Sequence, residues 1–248
     1  MIKINFFARK LLSRLSKSFQ VIAFSTSVYD NYKYEFHSVS FAQEGEDIIL
    51  DNIFEGKING FYVDVGAHHP QRLSNTYYFY LKGWTGINID AMPHSMKKFN
   101  DLRPNDVNLE IPISRSPSDL TYYKFDESAL NSFSSDLSKK RDIQTKYKII
   151  EEIQLKTKTL AKVLDEHLPS NQKIDFLSID VEGLDYEVLQ SNNWGKYQPQ
   201  VILVEDLELE NITKVDSSKV YTFLVDKGYV LIAKTIRTLI FKLKNVEE

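Results

Sequence analysis

The sequence predicts a doubly wound α/β fold around a mostly parallel sheet, and three observations carry that expectation. First, four apolar runs end on or beside an acid: residues 61–65 with Asp64, 84–90 ending at Asp90, 174–180 ending at Asp180, and 201–205 ending at Glu205. Buried parallel strands read as such near-continuous apolar runs, and ligands of open α/β sheets bind beyond their carboxyl ends. Second, helical patterns alternate with these strands, which calls for right-handed crossovers. Third, the runs at 229–233 and 238–243 look like a closing hairpin that adds an antiparallel edge strand.

The elements follow in order. Residues 1–36 read as a separate N-terminal helix with a Tyr-rich connection, and residues 37–248 as the main domain. The segment 43–54 reads as a helix, with Ile48, Ile49, Ile53 and Phe54 apolar and Glu44, Glu46 and Asp47 in its first turn. A strand at 61–65 precedes a helix at 76–82 that stops at Gly83, and after the strand 84–90 Pro93 opens a helix through Phe99. Residues 107–113 read as a third strand, and 120–125 alternates as an additional one behind a turn at 116–119. The polar stretch 126–152 lacks clean periodicity and reads as a long excursion. Helices at 159–167, 184–190 and 218–227 flank the strands 174–180 and 201–205.

Composition narrows the class. At 248 residues the chain fits one α/β domain with trimmings. A net charge of −3 argues against general nucleic-acid binding, and no segment is apolar enough to span a bilayer. With no cysteine, disulfides, thiolate metal sites and a Cys nucleophile are excluded, which fits a cytoplasmic enzyme. Lys3, Arg9, Lys10, Arg14 and Lys17 precede the first acid, opposite a stripe of Leu11, Leu12, Leu15, Phe19 and Ile22. That segment reads either as a peripheral helix docking on anionic lipid at the inner membrane face or as a helix packed on the domain or a second subunit of a homo-oligomer; base rates favour packing.

The most informative stretch is Gly60-Phe-Tyr-Val-Asp-Val-Gly-Ala-His-His-Pro70, a strand that breaks at Gly66, where backbone can turn tightly and approach a ligand. A plain strand-to-helix turn is the competing reading. Asp90 lies 26 residues after Asp64 at the end of the second strand, where an acid accepts bonds from ribose hydroxyls in nucleotide-binding α/β folds. A helix N-cap role is its alternative.

Together with Ser40-Phe-Ala-Gln-Glu-Gly-Glu-Asp47, Leu73-Ser-Asn-Thr76, Gly83-Trp-Thr-Gly-Ile-Asn-Ile-Asp90, Ala129-Leu-Asn131 and Asp175-Phe-Leu-Ser-Ile-Asp-Val-Glu-Gly183, this stretch resembles the FkbM family of S-adenosylmethionine-dependent methyltransferases. The resemblance covers about two thirds of the chain. It implies the Rossmann-like class I methyltransferase fold, a seven-stranded sheet whose last strand is antiparallel. It also implies methyl transfer, usually onto oxygen, in glycan or secondary-metabolite pathways. The loop Gly66-Ala67-His68-His69-Pro70 departs from the Gly-rich class I form, so backbone contact with the donor would rest on Gly66 and Ala67.

By that resemblance and by strand position, Asp64, Gly66 and Ala67 would hold the amino-acid part of the donor, and Asn88, Met92 and Ile113 would wall the adenine. Asp180 would orient the donor's ammonium or take the acceptor's proton, with Glu182 binding acceptor hydroxyls; helix capping is the competing role for Asp180. His69 suits general-base work on a hydroxyl, loop packing being its alternative. His68, Arg72, Ser74, Asn75, Asn131 and Glu205 would line the acceptor side. Asp180, Glu205 and Asp206 could converge on a divalent metal, but no compact metal motif is present, so a metal is not favoured.

The leading expectation is therefore an O-methyltransferase acting on a hydroxyl of a sugar or glycan precursor, lipid-linked if the basic N-terminal helix docks on a membrane. Competing expectations are methylation of a small secondary metabolite, a NAD-binding oxidoreductase, and a catalytically silent partner subunit. The absence of G-x-G-x-x-G weighs against NAD.

Overall fold

A computed structural model describes residues 38–244. The basic helix expected near the N-terminus, and the membrane or subunit contact expected of it, fall outside the described residues. In chain order the elements are α1 (Glu46–Ile53), β1 (Phe61–Val65), α2 (Tyr77–Leu81), β2 (Thr85–Asp90), α3 (Met96–Leu102), β3 (Val107–Glu110), β4 (Asp119–Phe125), α4 (Ser135–Gln144), β5 (Ile149–Lys156), α5 (Leu160–His167), β6 (Phe176–Ile179), α6 (Asp185–Gln190), β7 (Val201–Glu205), α7 (Lys219–Asp226), β8 (Tyr229–Lys234) and β9 (Thr238–Leu243).

Seven strands form one sheet in the order β3-β2-β1-β6-β7-β9-β8. β3, β2, β1, β6 and β7 are mutually parallel, whereas β9 pairs antiparallel with both β7 and β8. The C-terminal hairpin thus closes the edge, with the antiparallel strand β9 set one place inside β8. β1 and β7 are buried along their whole length, as their uninterrupted apolar runs require.

Strand alternation sorts the interior into two layers. Val63, Val65, Ile87, Ile89, Leu177, Ile179, Ile202 and Val204 face one core. Tyr62, Phe176, Val201 and Leu203 face the other, where Phe54, Phe79 and Trp84 pack at tilted angles against Phe176 with ring centroids 5.0–6.2 Å from it. Each such fully buried side chain contributes about 1.5–3 kcal/mol of transfer free energy.

The excursion expected at 126–152 is more ordered than its pattern implied. It holds α4 and part of β5, and β5 pairs antiparallel with β4 in a separate two-stranded sheet. α4 (Ser-Asp-Leu-Ser-Lys-Lys-Arg-Asp-Ile-Gln) carries almost no apolar stripe, so its periodicity is silent; its start is marked instead by Ser134, whose Oγ accepts from Leu137 N. The helix expected from Pro93 begins only at Met96, because the Asp90 carboxylate draws in Met92 N at 2.7 Å and His94 takes a left-handed φ of 68°.

The strand order reverses between β1 and β6, with β2 and β3 on one side and β7 on the other. An open α/β sheet binds ligands at such a reversal, outside the carboxyl ends of its strands. Gly66 and Asp180 follow those two strands directly.

Candidate active site

Gly66 and Asp180 meet at the centre of the crevice. Asp180 N donates to Val65 O at 3.0 Å, which carries the β1–β6 pairing one residue past the sheet. Gly66 has φ +86°, and a Cβ there would lie 1.7 Å from the Asp180 carbonyl oxygen. A side chain is therefore excluded both by conformation and by contact. Beside them, Asp90 lies at the end of β2, nearly buried; its Oδ2 accepts from His68 N at 2.8 Å and its Oδ1 from Met92 N at 2.7 Å. These two bonds hold both flanking loops to one carboxylate and leave further lone pairs on each oxygen. Asp90, Met92, Ile111, Ile113, Gly66 and Asp180 line one cavity.

Behind the cavity runs a buried polar network. Thr76 Oγ1 donates to Asp64 Oδ2 at 2.8 Å and accepts from Arg103 Nη1 at 3.0 Å. Arg103 is completely buried; its Nε pairs with Asp106 at 2.9 Å and its Nη2 donates to the Tyr62 hydroxyl at 2.8 Å. Burial pushes the Asp64 carboxyl up to about 6, opposed by the Arg103 charge and the Thr76 hydrogen bond. Asn88 belongs to this network and not to the cavity: its Nδ2 donates to Asp106 at 3.1 Å and Asn108 at 2.8 Å. The adenine-wall expectation for Asn88 is thus corrected. In mid-strand its side chain points to the face opposite Ile87 and Ile89, away from the crevice.

On the other side of Asp180 an acidic cluster forms. Asp180, Glu182 and Glu205 bring one carboxylate oxygen each to within 4.8 Å of one another. Glu205 ends β7, in the register next to β6, so its side chain rises beside Asp180. Burial and the neighbouring carboxylates push Glu205 up to about 11 and raise Asp180 well above the usual carboxylate range. Glu182 has a left-handed φ of 57°, held by Ser132 Oγ donating to its carbonyl at 2.6 Å and by an ion pair with Arg141 of α4. Asp180 does not cap α6. α6 follows Leu184 without a side-chain cap, and Asp185 at its first position ties down the preceding loop, accepting from Val181 N at 2.9 Å and Gly183 N at 3.0 Å. Asp206 stays outside the cluster, accepting from Glu208 N, Leu209 N and Ser218 Oγ.

The excursion covers this crevice. Tyr122, Ser128, Asn131 and Phe133 line the same cavity as Asp90 and Asp180. Two contacts tie the cover to the loop after β1: His68 Nε2 lies 3.0 Å from Ser128 Oγ, and Arg72 pairs with Glu127 at 3.1 Å. A third tie is the Arg141–Glu182 pair, on the acidic side. Gln43, in the loop before α1, also lines the cavity.

The family model described as "Methyltransferase FkbM domain" matches residues 64–231, about two thirds of the chain and every cavity-lining residue but Gln43. The chain belongs to the FkbM methyltransferase family. No curated protein matches it at a significant level. Among solved structures it is similar to a type 11 methyltransferase of Sulfolobus solfataricus, with 14% identity, TM-score 0.40 and coverage of 84% of this chain and 96% of that one. It is also similar to a TehB-like SAM-dependent methyltransferase of Corynebacterium glutamicum, with 10% identity, TM-score 0.36 and coverage of 90% and 97%.

For an FkbM methyltransferase the donor is S-adenosylmethionine, and the residues present suit it. Asp90 offers two oxygens to a ribose diol, Ile111, Ile113 and Met92 offer an apolar wall to a flat ring, and Asp180 offers negative charge to an ammonium, whereas Asp64 lies behind the cavity in the Thr76–Arg103 network. The other expected residues fall into distinct places. Ala67 touches Met96 and Phe99 beneath the loop while its N–H bonds Ile89 O. His69 Nδ1 accepts from Gln71 N at 3.2 Å and Arg72 N at 3.1 Å, so its ring holds the loop and is not brought to Asp180. Ser74 Oγ accepts from Tyr77 N at 3.1 Å at the start of α2, and Asn75 Nδ2 donates to Ser178 Oγ at 3.0 Å. Asn131 reaches the cavity, its Oδ1 accepting from Phe125 N at 2.8 Å. Thr76, Arg103, Tyr122, Phe133 and Arg141 were not singled out by the sequence reading; the family-like blocks contain only Thr76 among them.

Proposed function

We propose that this FkbM methyltransferase transfers a methyl group from S-adenosylmethionine to a hydroxyl of a sugar or glycan precursor. The observation that carries the reading is the placement of Asp90 and the Asp180–Glu182 pair on opposite sides of one cavity, a diol-binding acid facing a proton-accepting pair. A polar groove adjoins the acidic side, lined by Ser134, Asp136, Lys140, Glu205, Asp206 and Glu208, which suits a hydroxyl-rich acceptor better than an apolar metabolite.

When bound, the donor supplies an electrophilic methyl carbon on a sulfonium. The chain's own work is to bind both reactants in line, which by itself removes a large part of the barrier. Asp90 would hold the ribose end, and the Gly66 turn, with Asp64 behind it, the amino-acid end. Glu182, held by Arg141, orients acceptor hydroxyls. As the acceptor oxygen bonds the methyl carbon, the carbon–sulfur bond breaks with its electron pair going to sulfur, and the acceptor's proton is assigned to Asp180, which lines the cavity and which burial and Glu182 make unusually basic. His69 is not assigned this step, because its Nδ1 already accepts two backbone amides. Tyr122 and Phe133 in the cover exclude water from the reacting atoms.

Incubating the purified chain with donor labelled in the methyl group and with fractionated glycans tests the reading. The expected product is an alkali-stable methyl ether in a sugar fraction. Label confined to protein, nucleic acid or small apolar metabolites would overturn it.

A further inference from the structure

Glu205 is 5% exposed, yet its Oε2 has no hydrogen-bond partner. A buried carboxylate oxygen without a donor is costly, and two further carboxylates stand beside it. We propose that Asp180, Glu182 and Glu205 form a divalent-cation site at the acceptor end of the crevice.

Three observations support a cation there. The three donor oxygens lie within 4.8 Å of one another. Around an ion coordinated at about 2.3–2.6 Å, opposite oxygens are about 4.6–5.2 Å apart and adjacent ones about 3.3–3.7 Å, so the cluster has the right span. The charge also balances: of the three carboxylates, Glu182 is paired with Arg141, which leaves two negative charges for a divalent ion. Arg237 also faces the cluster but is engaged with Glu44 at 3.7 Å. The donor set is all oxygen, which selects Mg²⁺, Ca²⁺ or Mn²⁺ over thiophilic metals. Finally, the orphaned Glu205 oxygen gains the partner that no described residue provides.

The site's existence is independent of the acceptor. Its role rests on the methyl-transfer reading: a cation here would bind acceptor hydroxyls and ease loss of the proton that a cluster carboxylate or solvent then accepts.

Mn²⁺ is the probe, titrated into the full chain without methyl donor and read by its electron paramagnetic resonance signal. The wild type is expected to bind one Mn²⁺ per chain near neutral pH. Glu205→Gln should weaken binding at least tenfold, and Glu152→Gln, an exposed acid on β5, should leave it unchanged. Thermal melting of the Glu205→Gln variant in chelator should match that of the wild type, since the isosteric amide fills the same space and Glu205 Oε2 has no hydrogen bond to lose, so a loss of Mn²⁺ would not reflect misfolding. No binding by the wild type, as expected if the cluster simply shares protons or serves only the donor's own positive charge, would overturn the proposal. Equal binding by wild type and Glu205→Gln would also overturn it. Donor titration on the same samples reads the methyltransferase assignment separately.

Discussion

The Thr76 hydroxyl bridges Asp64 and the buried Arg103, donating to the carboxylate at 2.8 Å and accepting from the guanidinium at 3.0 Å. A residue of α2's N-cap thereby connects the acid beneath the donor loop to the one cation of its network. Replacing Thr76 by the isosteric Val removes a charge-assisted bond worth about 1.5–3 kcal/mol. Thr76→Val should weaken S-adenosylmethionine binding by about tenfold or more at pH 7. Asp64 should also ionise at higher pH, which moves the acid limb of donor affinity upward in a calorimetric pH series.

The same acid sets a conflict between stability and function. Asp64 titrates at about 6 in the fold against an ordinary 3.8. A raised carboxyl binds its proton more tightly when folded, so Asp64's own contribution to stability is most favourable below about pH 3.8 and is lost as pH rises through about 6. Asp64→Asn removes that penalty. The variant should melt higher than wild type at pH 7 without donor, by an amount that vanishes near pH 4, while its donor affinity falls. Scanning calorimetry at the two pH values checks the sign.

Arg103 tests the network's structural side. Removing its charge leaves Asp106 buried without its counter-ion, and breaking such a pair costs about 3–5 kcal/mol. Arg103→Met should lower the urea midpoint with an unchanged slope.

Much of this architecture was readable in the residues, and the reason is local. β1, β2, β6 and β7 announce themselves as apolar runs with Asp64, Asp90, Asp180 and Glu205 at or beside their ends, because buried parallel strands are mostly apolar along their length. Gly66 was legible because it interrupts such a run. Asn88 was misread because it shares that run with Asp90, although mid-strand alternation sends it to the opposite face. Arg103 and Arg141 were illegible for another reason. Apart from Asp106, three residues after Arg103, the side chains that their guanidinium groups bond lie 27, 41 and 41 residues away, at Thr76, Tyr62 and Glu182. The cover was hidden by α4, whose polar composition gives no helical stripe.

The assignment of the acceptor's proton to Asp180 distinguishes two carboxylate-histidine alternatives. Asp180→Asn should lower kcat by about 10²–10⁴-fold, the usual effect of losing a general base. His69→Gln should retain kcat within a few-fold, because its ring acts on the loop backbone. Single-turnover rates at saturating donor compare them without interference from binding.

The donor site at Asp90 is the centre of the account, and calorimetric titration of S-adenosylmethionine into wild type and Asp90→Ala tests it most directly. The wild type should bind one donor per chain. The variant, lacking the carboxylate proposed to hold the ribose diol, should bind about ten- to a hundredfold more weakly. Equal affinity in the two proteins, or binding of NADH with none of the methyl donor, would contradict it.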